Sequence, residues 1–189
     1  MTVNKFEIEP EVLNGCIKNK LKYQELLYRQ YYGYGMSISL RYSANKDEAT
    51  EILNDSFLKV FDNISKFKTD LSFKSWFRRI VINTSIDYYR KNVKFNNTDS
   101  IDDIFITETI DNNVIDELNA EDILKLLNQL PEIYRFTFNM YEIEGYKHEE
   151  IAEKLNITTS TSRSNLTRAK KMLKNLLENI YQKNYASVV

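Results

Sequence analysis

Glycine and proline are scarce in this 189-residue chain, four and two residues respectively. That scarcity excludes an all-β architecture, which needs Gly/Pro turns at short intervals, and points to long uninterrupted helices. The single cysteine, Cys16, and the single histidine, His148, lie far apart. A Cys/His zinc site and an internal disulfide are therefore excluded. Cys16 reads as a small buried hydrophobe and His148 as a surface or capping residue at a helix start, with no role assigned. No apolar run approaches the roughly 18 residues that cross a bilayer. The opening MTVNKFEIEPEV has neither the basic start nor the apolar stretch of a signal peptide, so the expectation is a cytoplasmic chain without direct membrane insertion. There is no P-loop, dinucleotide fingerprint or nucleophile elbow. No catalytic residue, cofactor or metal is expected.

What is present is a core-forming 42% of hydrophobic residues and an uneven charge pattern hidden beneath a net charge of −1. Residues 20–95 carry fourteen Lys/Arg against eight Asp/Glu, and residues 123–189 carry ten against seven. Between them, residues 96–122 hold nine acids and no base. The pattern is two basic modules joined by an acidic, Asn/Asp/Thr-rich connector. The expected fold class is all-α, with two small helical domains over residues 8–95 and 120–183 and an acidic linker over 96–119.

Pro10 suits the first turn of a helix, and the stretch that follows to about Ser43 reads as helical with two interruptions. Leu21, Leu26, Leu27, Tyr31 and Tyr34 recur in it at helical intervals, and Gly33 and Gly35 can bend or crowd it. Asn45 or Asp47 can cap the next helix. There Ile52, Leu53, Phe57, Val60, Phe61 and Ile64 form an apolar stripe opposite Glu51, Asn54, Asp55 and Lys59. After the polar loop SKFKTDLS, the segment FKSWFRRIVINTSIDYYRK can turn Phe73, Phe77, Ile80, Val81 and Thr84 to a core. Trp76, Arg79, Asn83, Asp87 and Arg90 fall on an adjoining stripe. That stripe has two readings: a half-buried Trp among solvated arginines, or a surface that stacks on bases and neutralises phosphates.

Helix resumes at EDILKLLNQL. Pro131 is expected to open a further helix at its first turn and Gly145 to close it, with Ile133, Phe136, Met140 and Tyr141 as its apolar face. HEEIAEKL then presents Ile151, Ala152 and Leu155. A short NIT turn leads into NITTSTSRSNLTRAKKML, capped at Thr158 and anchored by Leu166, Ala169 and Leu173. Two short helices joined by three or four residues, the second basic, make a helix-turn-helix, whose second helix enters the major groove by its leading turns. Ser160, Arg163, Ser164, Thr167, Lys170 and Lys171 then point away from the core. A helical hairpin with a solvated basic face remains the alternative, and Ser162 is its best support, a polar residue where the apolar stripe should begin.

Taken together, DEATEILNDSFLKVFDNISKF, SFKSWFRRIVINTSIDYYRK and LPEIYRFTFNMYEIEGYKHEEIAEKLNITTSTSRSNLTRAKKML resemble, in order and spacing, the extracytoplasmic-function class of sigma-70 family factors. The resemblance covers nearly the whole chain. It implies that Glu51, Asn54, Asp55 and Leu58 face core RNA polymerase. It implies that Phe67, Lys68, Trp76, Arg79, Asn83, Arg90 and Lys91 contact −10 promoter DNA, with the SKFKTDLS loop near a base extruded from the non-template strand. Thr159, Ser160, Thr161, Arg163, Ser164, Thr167, Lys170 and Lys171 are the corresponding candidates for the −35 element. It also implies an anti-sigma factor as the regulator, because only NYASVV follows the last helix and no further domain is expected there. Asn54 stands where the family commonly has glutamine, Ser162 where it has valine and Asn165 where it has arginine. The last two are expected to leave the recognition helix less apolar inside and less basic outside. Two other functions stay open on residues alone: an autonomous helix-turn-helix transcriptional regulator, and a helical adaptor that binds only protein.

Overall fold

The computed structural model describes residues 8–68, 72–96 and 119–186. Among the described residues there are eight α-helices and no strand. The chain divides into two compact units, Met1–Lys94 and Phe95–Val189. The expected acidic linker falls almost wholly on residues 97–118, outside the described residues, as do 69–71 of the SKFKTDLS loop.

The first unit contains α1 (Pro10–Ile17), α2 (Leu21–Tyr42), α3 (Lys46–Asn63), a 3-10 turn (Ile64–Lys66) and α4 (Phe73–Asn96). Pro10 sits in the first turn of α1, where its missing N–H has no helical partner to lose. Asn45 caps α3 by accepting from the Glu48 amide at 2.9 Å, and Glu48 in return accepts from the Ala44 amide. Only one interruption breaks the first helical stretch, at residues 18–20, where Asn19 takes the left-handed φ of 53°. The Gly33–Gly35 segment does not break α2. A Cβ on Gly35 would collide with the Leu53 side chain and lie 2.9 Å from Phe77 Cζ, so this glycine permits close packing of three helices.

The core is an aromatic stack spanning helices that are distant in sequence. Tyr31 of α2 meets Phe73 and Phe77 of α4 at ring-centre distances of 4.8 and 5.8 Å, and Phe57 of α3 meets Phe77 at 4.9 Å. Each buried ring contributes about 1.5–3 kcal/mol by leaving water, and good ring pairs add about 0.5–1.5 kcal/mol. Leu27, Ile38, Ile52, Leu53, Val60, Ile64 and Val81 complete it. Cys16 is buried, and burial pushes its thiol up to about 11, so at neutral pH it behaves as a small hydrophobe. Leu21 and Leu26, which recur at helical intervals with Leu27, Tyr31 and Tyr34, are exposed, at 77% and 45%. The periodic set fails at these two positions because the inward stripe follows Leu27, Tyr31 and Ile38.

The second unit contains α5 (Ala120–Asn128), α6 (Glu132–Phe138), a π-helical stretch (Asn139–Ile143), α7 (His148–Leu155) and α8 (Thr159–Ala186). Asn119 and Asp122 form a reciprocal capping box at the start of α5. Pro131 stands one residue before α6, at its N-cap, and Gly145 with φ 77° turns the chain out of the π stretch. Asn156 ends α7 in the left-handed conformation, and Thr158 caps α8 by accepting from the Thr161 amide at 3.1 Å. Leu127, Leu130, Phe136, Met140, Ile151, Leu155, Leu166 and Ala169 are buried. Leu173 packs at the edge of this core. Tyr141 differs from expectation: it is 38% exposed and its ring lies over His148 rather than in the core.

Candidate nucleic-acid interfaces

Three exposed surfaces carry the candidate residues, two on the first unit and one on the second. On α3 the inward stripe fixes the rotation of the helix, so Glu51, Asn54, Asp55 and Leu58 all emerge on the outer side. Leu58 is 62% exposed, an apolar side chain set among acids and amides. The neighbouring helices hold two of these polar groups. The Tyr28 hydroxyl of α2 donates to Asn54 Oδ1 at 3.1 Å, and the Tyr88 hydroxyl of α4 donates to Glu51 Oε2 at 3.4 Å. Both phenols are held above their ordinary pKa, chiefly by burial, with Tyr32 adding to the effect on Tyr28 and the Glu48 and Glu51 carboxylates to that on Tyr88. They stay protonated as donors.

The second surface lies where α4 meets the end of α3. Trp76 is half-buried, its ring 5.2 Å from Phe67 and 5.5 Å from Phe73. Beside it opens a shallow cleft of about 310 Å³ lined by Lys59, Asn63, Lys66, Trp76, Ile80 and Asn83. The structure thus brings Phe67, Trp76 and Asn83 into one neighbourhood. Arg79 does not line the cleft, and Arg90 and Lys91 are exposed about three turns farther along α4. Asp87, which shares the Trp76 stripe, is neutralised by Lys59 at 2.9 Å. An acid on a basic face is thereby paired within the protein.

The third surface is the start of α8. Ser160, Thr161, Arg163, Thr167, Lys170 and Lys171 are exposed, and Thr159 and Ser164 are half-buried. Two of the cations have carboxylates close by: Arg163 Nη2 lies 3.3 Å from Glu149 Oε1 and Lys170 Nζ 2.7 Å from Glu142 Oε1. Solvent-exposed pairs of this kind contribute about 0–1 kcal/mol, so a phosphate or guanine can displace the carboxylate at little cost. Ser162 faces inward and is fully buried. Asn165, expected to face outward, is buried too, with only 4% exposure. The outer basic face is therefore not diluted by Asn165, because that position belongs to the inner side of α8.

Residues 27–95 match the family model for sigma-70 region 2, and residues 120–173 match the one for sigma-70 region 4. Between them they account for well over half of the chain, and in the order expected. The chain belongs to the sigma-70 family, in its extracytoplasmic-function class. This sigma factor is 28% identical over 137 residues to the RNA polymerase sigma factor SigV of Bacillus subtilis, covering 72% of its own length and 80% of that protein. It is 28% identical over 158 residues to RNA polymerase sigma factor YlaC of the same organism, covering 79% and 89%. It is also 23% identical over 164 residues to the ECF RNA polymerase sigma-E factor of Haemophilus influenzae, covering 81% and 86%. Among solved structures it shares its fold with the sigma factor RpoE of Bartonella quintana, crystallised with the anti-sigma factor NepR. There the TM-score is 0.50 at 21% identity, with 82% of this chain and 96% of that one covered.

The cleft of this sigma factor includes Lys66, from the loop expected near the extruded base, and three residues not singled out for DNA from the sequence: Lys59, Asn63 and Ile80. Lys59 and Lys66 are seven residues apart, two helical turns, and that spacing was the available signal. What concealed it was the change from α-helix to 3-10 turn at Ile64, after which the helical count no longer holds.

Proposed function

We infer that this sigma factor binds core RNA polymerase, directs it to specific promoters and assists the opening of promoter DNA. In this reading the outer side of α3 meets a basic, partly apolar surface of the polymerase through Glu51, Asn54, Asp55 and Leu58. Opposite charge steers the encounter and a buried leucine holds it. Phe67, Lys68, Trp76, Arg79, Asn83, Arg90 and Lys91 hold the −10 DNA, and the cleft beside Trp76 receives an unstacked base. Extrusion of a base costs a few kcal/mol, which stacking on an aromatic ring, worth about 1–3 kcal/mol per base, and neutralisation of phosphate offset. The leading turns of α8 read the −35 element with hydroxyl groups and Arg163. No bond is made or broken by this chain, and no residue is assigned a catalytic role. An anti-sigma partner, like the one bound by the Bartonella protein, is part of the proposal.

The observation that carries the reading is the combination of an exposed acidic and apolar face on α3 with a Trp-bearing basic helix, within a matched region 2. An autonomous helix-turn-helix regulator needs neither. Mixing the purified protein with core polymerase and a promoter library should yield transcripts from a defined subset of templates. Tight binding to duplex DNA by the protein alone, with polymerase activity unchanged, would sink the proposal.

Within the same assay, Arg163→Ala should weaken −35 binding by about 1–3 kcal/mol and relax preference at a single base position. A loss that is uniform across sequences would make Arg163 a phosphate contact instead.

A further inference from the structure

The buried Ser162 occupies the first inward position of the recognition helix, where an apolar residue would grip the core. Its Oγ lies 2.9 Å from Nδ1 of His148, the first residue of α7. Ser162 has no exposed surface, and a buried hydroxyl stripped of its partner costs about 1–3 kcal/mol. The imidazole is itself held in place. Its ring stacks on Tyr141 with centres 4.5 Å apart and planes 23° apart, and Tyr141 belongs to the π-helical stretch Asn139–Ile143. Such stretches are uncommon and often mark functional positions.

An apolar contact at this joint would hold α8 by shape alone, because dispersion has no preferred direction. A hydrogen bond has a preferred distance and angle. The adjacent residues cross the same joint, with Glu149 reaching Arg163. Beside the buried Leu166 and Ala169, the directional His148–Ser162 bond narrows the rotation that α8 can take about its axis, and with it where Arg163, Ser160 and Thr161 are aimed.

We propose that His148 is a positioning residue for promoter reading, which with Ser162 pins the recognition helix to α7 at one fixed rotation. The proposal rests on the reading of α8 as the −35 helix. It goes beyond that reading by giving a role to a residue outside the set proposed to read the −35 element. The pair also accounts for Ser162: a polar residue at a core position is tolerated because a polar partner faces it from α7.

The test uses holoenzyme assembled from core polymerase and the full chain. It measures the ratio of promoter binding on templates with the preferred −35 sequence, selected from a library, to binding on templates with that sequence scrambled. The temperature is kept well below the melting point of each variant, followed by circular dichroism. His148→Ala should lower the ratio about fivefold or more, the lower end expected when one base contact is misaimed. Ser162→Ala should do the same, and the double variant should be no worse than either single one, since both remove one bond. His148→Asn, whose amide can occupy the place of Nδ1, should recover most of the ratio. A melting point that falls while the ratio stays intact would reduce the pair to a folding contact, and losses that multiply in the double variant would also overturn the pin. If His148→Ala does not fold, Ser162→Ala, which removes a single oxygen, decides the matter. A wild-type holoenzyme indifferent to the −35 sequence would instead overturn the reading of α8, and the proposal with it.

Discussion

Leu58→Asp should cut the affinity for core RNA polymerase about 100-fold or more while leaving the folded protein nearly as stable as before. The two halves of that expectation come from one observation, the 62% exposure of Leu58 on the outer side of α3. In the free protein its side chain supports little, and exposed substitutions of this kind change stability by about 0.5 kcal/mol, plus a small loss of helix propensity for Asp. At the proposed interface the same side chain is the one large apolar group among Glu51, Asn54 and Asp55. Burying a leucine against a partner contributes about 1.5–3 kcal/mol, and replacing it with a carboxylate adds the cost of desolvating a charge. Central apolar anchors commonly account for 2–4 kcal/mol, and each 1.4 kcal/mol is tenfold in affinity. A competition titration against wild type for core polymerase, with a thermal melt of each protein, measures both halves. Affinity within threefold of wild type would remove α3's outer side from the docking surface.

The helical stripes were legible because burial follows periodicity wherever one helix faces one core. Ile52, Leu53, Phe57 and Val60 are buried as their spacing requires, and the opposite residues Glu51, Asn54 and Asp55 are exposed. The caps at Asn45 and Thr158 were legible for a different reason, since their hydrogen bonds span three residues and depend on nothing distant. What the sequence concealed are contacts between elements. His148 and Ser162 are fourteen residues apart, and neither by itself announces the other. Asp87 reads as an acid spoiling a basic stripe until Lys59, twenty-eight residues earlier, is seen to neutralise it. Asn165 reads as an outward position by analogy with an arginine, whereas the rotation of α8 that buries Ser162 and Leu166 turns it inward. Gly35 reads as a helix weakness, and its function is steric, making room for Leu53 and Phe77.

Trp76→Ala should reduce the rate of promoter opening by roughly 10- to 100-fold on duplex templates, with core polymerase binding unchanged. The range is that of one lost base–aromatic stack, about 1–3 kcal/mol. Trp76 is suited to this task because its ring is only partly spent inside the protein. Contacts with Phe67 and Phe73 fix its orientation, while the rest of its surface borders the cleft shared with Lys59, Lys66 and Asn83. A ring already ordered by its neighbours gives up little entropy when a base stacks on it. The same contacts mean that alanine also removes packing, so loss of activity alone would not separate reading from folding. Two further measurements make that separation. Trp76→Tyr retains an aromatic face and should preserve most of the opening rate. A template already unpaired across the −10 region relieves the cost of extrusion, so the alanine variant should lose less there than on duplex DNA. If docking and opening fall together, on both templates and in both variants, Trp76 is a core residue of the first unit and the cleft is not where the extruded base is held.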